Sequence, residues 1–137
     1  MIKKFLSVQL DDTKTSIALL LLRISAGALM IPHGYQKLIK FAEYQNDFMN
    51  FMGLGTSVSL SLTILAEFFC AILLVAGLLS RISLIPLIVV MLVAVFQAHQ
   101  AEIFGDGEHA FLYLVAYLAL FIAGPGKYSL DALIFKK

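Results

Sequence analysis

The run from Ser16 to Lys40, SIALLLLRISAGALMIPHGYQKLIK, constrains this chain more than any other stretch. From Ser16 to Pro32 every residue is apolar or small except Arg23. At about 1.5 Å per helical residue, the run crosses most of a ~30 Å hydrocarbon layer. A guanidinium cannot shed its charge, and at mid-helix it costs roughly 2.5–3.5 kcal/mol on insertion scales. The rest of the chain has to offset that cost.

Composition agrees with a lipid solvent. The 137 residues are 61% hydrophobic and 14% charged, with mean hydropathy +0.92. A soluble domain has about 45–50% apolar and about 25% charged residues, so this chain has too little polar surface to coat a soluble globule. A net charge of +1 gives no reason to expect nucleic acid. The length suits one domain, residues 1–137. Cys70 is the single cysteine, which excludes an intramolecular disulfide and a multi-cysteine metal site. In its apolar run it reads as a small hydrophobe. The Ile2–Leu6 run is short, has no small-residue cleavage site and is followed by Asp11 and Asp12, so no secretory signal is expected.

The pattern predicts an all-α membrane protein, a bundle of four transmembrane helices over about 16–38, 57–79, 84–100 and 107–124. Phe41, Tyr44, Phe48, Phe51 and Met52 recur at three- and four-residue intervals among polar residues. That period predicts a short interfacial amphipathic helix between spans 1 and 2, either a lid over a site or a plain connection. The fourth run, Ala110 to Ala123, spans only if it is extended at its ends, before Gly124-Pro125-Gly126 breaks it. Four spans put both termini and the 80–83 turn on one side, with seven lysines and arginines against two. The positive-inside rule makes that side cytoplasmic.

Glu67, near the middle of the second span, is the expected partner of Arg23. Counted from Ser16 and Leu79 as inner ends, the two depths are compatible. Arg23, Gly27, Met30, Gly34 and Lys37 share one stripe, and Thr63, Glu67 and Ala71 share another. Small residues beside each charge let the backbones approach. Such a buried ion pair either fixes the register of two helices or relays a proton or solute. His33 and Lys37 end the first span, Gln97 and His99 the third, and Glu108 begins the fourth. These five form a candidate site for a polar ligand head, such as a quinone ring, or else anchor helix ends at the interface. No HxxxH spacing is present and polar residues at helix ends are ordinary at an interface, so no metal site and no haem is expected. No phosphate-binding glycine motif or hydrolytic triad occurs, and the catalytic residues stay unassigned.

Taken in order, RISAGALMIPHGYQK, LAEFFCAILLVAGLLSR, VMLVAVFQAH and GPGKYSLD resemble the DoxX family of small four-span membrane proteins. Arg23, His33, Gly34, Lys37, Glu67, Gly77, Arg81 and Asp131 match that pattern. The resemblance implies a four-helix bundle in a prokaryotic cytoplasmic membrane. It also implies a role beside quinone-linked oxidoreductases, since relatives include small subunits of a thiosulfate:quinone oxidoreductase. On this reading the chain is an accessory subunit that meets quinone and a redox partner protein, and it can also self-associate. The competing readings are a small proton or solute carrier built on Arg23 and Glu67, and a ligand-free scaffold.

Overall fold

Local devices set where each helix starts and stops. The computed structural model describes residues 1–98 and 100–135. After a short helix, α1 (Ile2–Phe5), Asp11 caps the first long one. Its Oδ1 accepts the N–H groups of Thr13 at 2.8 Å and Lys14 at 3.3 Å, which satisfies donors that the first helical turn leaves open. Helix α2 (Asp12–Ile39) therefore starts at Asp12 rather than Ser16, and it continues through Pro32.

The expected amphipathic helix is cut short. Only α3 (Phe41–Tyr44) is helical, and turns and bends follow to Gly55. Asn46, Asp47 and Asn50 belong to residue types that compete with helical backbone bonds. Asn50 does so directly, accepting the Gly55 N–H through Oδ1 at 2.8 Å. Ser59 Oγ accepts the Phe51 N–H at 2.8 Å and ties the connection to the next helix.

Helix α4 (Thr56–Ala76) carries a π-helical stretch at Leu65–Cys70. It ends at Gly77, whose φ of +72° and whose closeness to Ser129 both demand glycine. Helix α5 (Ser80–Ala98) follows and finishes in a π-helical turn. Helix α6 (Glu108–Ala123) comes next, and a final short helix, α7 (Leu130–Ile134), is capped by Ser129 Oγ.

The described residues form an all-α bundle. Helices α2, α4 and α5 are long and apolar enough to cross a membrane. Helix α6 is equally apolar but has 16 residues, about 24 Å at the helical rise. Ala26, Met30, Leu74, Leu87, Leu114 and Tyr117 lie in the core, while Leu21, Ile82, Phe96 and Ile122 face outward. Apolar residues on both sides are what a lipid-solvated multi-span bundle requires.

Two ends of the bundle can be told apart by their contacts. At the first, Lys127 Nζ donates to Thr13 Oγ1 at 2.8 Å and the Asp131 N–H to the Gly77 carbonyl at 2.8 Å. Arg81 closes the C-terminal carbonyls of α6, donating to Phe121 O at 3.1 Å and Ile122 O at 3.3 Å. The start of α2, the 77–80 turn and the 124–131 segment thus gather here, at the closed end. The connections 40–55 and 100–107 lie at the other, open end.

Candidate functional site

Arg23 is 2% exposed, and its partners are backbone carbonyls. One terminal nitrogen donates to Pro125 O at 2.7 Å and the other to Tyr128 O at 2.8 Å. Glu67 is not a partner, which corrects the pair expected from the sequence. The reason is an offset between helices. A Cβ on Gly77 would lie 3.0 Å from the Arg23 guanidinium carbon, and Gly126 lies against Ser16 and Leu19. Helix α2 therefore overhangs the 77–80 turn, and the 124–131 segment packs on the overhang. Counting depth from flush ends brought Arg23 and Glu67 too close. Arg23 is level with a polar connection, where a fixed charge costs far less than at mid-bilayer.

Asp131 completes this closed end. Its Oδ1 accepts the Leu79 N–H at 2.7 Å and its Oδ2 the Ser80 N–H at 2.8 Å. Burial alone would raise its pKa. The hydrogen bonds from Ser80 and Leu79, with the Arg23 charge, outweigh burial and hold the carboxyl below the usual carboxylate range.

Glu67 finds its cation elsewhere. Lys37 Nζ donates to Glu67 Oε2 at 2.7 Å, with the lysine side chain 24% exposed and the glutamate 7%. Gly34, one turn before Lys37, is what brings the helices together. A Cβ there would meet Phe68 N at 2.5 Å and the Glu67 carbonyl carbon at 2.6 Å. Glu67 itself lies within the π-helical stretch of α4, a distortion that recurs at functional sites. Lys37 lies fourteen residues after Arg23 on α2, about 21 Å along the helix.

The pair forms part of the wall of a cavity of about 850 Å³, within the size range of small-molecule sites. Its walls are largely apolar, and His33, Tyr113, His109 and Asp106 add polar groups. His33 meets the Tyr113 ring edge-on, with centroids 6.4 Å apart. Tyr113 stacks on Tyr117 at 5.9 Å. The buried Tyr117 hydroxyl donates to the Ala26 carbonyl at 3.0 Å, so the aromatic stack is anchored to α2. Phe48, Met49 and Phe51 reach the same cavity from the irregular 45–55 connection.

Of the five expected head-site residues, His33 and Lys37 meet here, and Glu67 joins them. Gln97 and Glu108 are exposed and do not line the cavity. His99 lies outside the described residues, as do Lys136 and Lys137, which entered the charge count. His109 and Tyr113, four residues apart on one face of α6, line the cavity where Glu108 was expected. Cys70 is a free, buried thiol packed in the core. Among the described residues no group of three histidine, cysteine or acidic side chains could hold a metal.

A family model described as DoxX matches residues 18–100. The match takes in nearly all of α2, then α3, α4 and α5, including Arg23, His33, Lys37 and Glu67, and stops before α6. No curated protein and no solved structure matches the chain.

Proposed function

The chain belongs to the DoxX family, and from that premise we propose that it is a membrane accessory subunit of a redox system, holding a quinone ring in the cavity beside Lys37 and Glu67. The observation that carries this reading is one ion pair, 2.7 Å long, set in the wall of a large and mostly apolar cavity. Ionisable residues within membrane-type bundles commonly mark ligand or proton sites. A bound quinone supplies reversible redox chemistry at its ring carbonyls. The protein's part is to bind, orient and move protons. Lys37 has further N–H groups beyond the one given to Glu67, and the two ring nitrogens of His33 can donate and accept hydrogen bonds. Glu67 holds the ammonium at the cavity wall. His109 and Asp106 give a histidine–carboxylate neighbourhood for proton exchange. Electrons come from a partner oxidoreductase.

The bundle crosses the membrane four times on this reading, α6 included, with both termini cytoplasmic. The lysine and arginine bias supports that orientation. Single cysteines at Gly105 and at Lys3, in a Cys70→Ala background, check it in intact cells. An impermeant maleimide should label position 105 alone, and labelling of position 3 instead would invert the topology.

A short-chain quinone tests the ligand. It should raise the melting temperature of the purified protein, because it binds the folded state only. His33→Ala should abolish that shift while leaving the unliganded protein folded. An unchanged shift in that variant would remove the cavity from the account.

A further inference from the structure

The cavity is far larger than a ring needs, and the described α5 residues in its wall are all apolar. His33 and Lys37 of α2, Glu67 of α4 and Tyr113 of α6 supply polar groups, whereas Leu62 and Leu65 of α4 and Ile85, Val89 and Val93 of α5 supply apolar wall. Helix α5 packs on the Leu65–Ala76 part of α4 and makes no comparable contact with the Thr56–Ile64 part. The two helices therefore part toward the open end. Leu62 and Leu65 of α4 and Ile85 and Val89 of α5, all in the cavity wall, are 44%, 48%, 52% and 41% exposed, so the cavity reaches the outer surface of the bundle at these helices. From Ile85 to Ala98 the α5 wall runs about 20 Å. A cavity that serves water-borne ligands has no use for a long apolar slot opening sideways.

Building on the proposed ring site, we infer that the slot between α4 and α5 holds the single apolar tail of a lipid-borne amphiphile, which enters sideways from the bilayer. Leu62, Leu65, Val89 and Val93 select for the tail, and the Lys37–Glu67 end selects for the head. Moving an alkyl chain from lipid into an apolar slot yields little hydrophobic free energy, since lipid tails are as apolar as leucine. The slot acts instead by orientation. It fixes the direction from which the ring meets Lys37 and His33, and it admits one chain where a phospholipid has two.

The test uses the full chain in lipid nanodiscs, with a quinone carrying a photoreactive diazirine at the end of a ten-carbon chain. After irradiation, peptide mapping should find the label on α4 and α5 slot residues. An excess of chainless quinone should compete the label away. Val89→Trp, at a half-exposed position, should lose the slot label. Label on the outer faces of α2 or α6, still competed by chainless quinone, would overturn the slot and leave the ring site standing. Label that chainless quinone fails to compete would overturn both. A phospholipid with a diazirine-tipped acyl chain should label the slot weakly. Labelling equal to that of the quinone would make the slot ordinary lipid packing and end the inference.

Discussion

Arg23 and Glu67 are both buried charges on membrane-type helices, yet the molecule treats them oppositely. Arg23 is enclosed by fixed backbone acceptors, the carbonyls of Pro125 and Tyr128, beside a carboxylate that is itself tied to the 77–80 turn. Among the described residues Glu67 has one partner, a long lysine side chain that reaches in from the cavity wall. Backbone acceptors make a clamp, because they come with the fold and cannot titrate. A side-chain pair at a cavity can be opened, rearranged or lent to a ligand. Burial of a charge thus says little about its role until the nature and mobility of its partner are known.

The clamp should be the costlier of the two to break. Arg23→Leu removes two charge-assisted hydrogen bonds, each worth about 1.5–3 kcal/mol. It also leaves the Pro125 and Tyr128 carbonyls without their donors. We expect a loss of about 4 kcal/mol, read as a large fall in folded yield and melting temperature in mild detergent. Adding Glu67→Leu should bring no recovery, and recovery would reinstate the pair the sequence suggested.

Breaking the cavity pair should cost less. Glu67→Leu leaves an ammonium that can turn toward the cavity, so the expected loss is about 2 kcal/mol rather than the full value for a buried pair. Lys37→Met combined with Glu67→Leu should recover most of it. Chemical denaturation of the four proteins in the cycle measures the coupling, and strictly additive losses would mean that the 2.7 Å contact carries no energy.

The smallest effect concerns pH at the closed end. The folded-state pKa of Asp131 is lowered, so its contribution to stability is complete above the unfolded value and is lost as pH falls through the folded one. The unfolded value is about 3.9, so loosening should begin only below about pH 4. Asp131→Asn should flatten that part of the pH–stability curve in thermal melts. An unchanged acid limb would assign the loss to other carboxylates.

Much of this architecture could be read in the sequence because lipid demands long apolar runs and charges in such runs stand out. Helix α2, the Glu67 span and the 84–100 run follow from that alone. The stripe holding Gly34 and Lys37 was equally legible, and it contained the true partner of Glu67. The error lay in height. Helical phase can be read from one chain segment, but the vertical offset between two helices depends on what packs over their ends. Here the 124–131 segment, distant in sequence, sets it. The overreach at 45–55 has another source. Three- and four-residue spacing of Phe48 and Phe51 suggested a helix, while Asn50 and Ser59 supplied stronger local bonds. Tyr113 carries no sequence signal, because a tyrosine in an apolar run looks like core and only its neighbours His33 and Tyr117 mark it out.

One comparison bears most directly on the division between clamp and site: quinone-induced thermal stabilisation measured side by side for Arg23→Lys and Glu67→Gln. Arg23→Lys should melt well below the unsubstituted protein yet keep its quinone shift, because the clamp is remote from the cavity. Glu67→Gln should melt nearer the unsubstituted protein and lose the shift, because Lys37 is no longer held at the cavity wall. A shift that vanishes in Arg23→Lys and survives in Glu67→Gln would contradict the account.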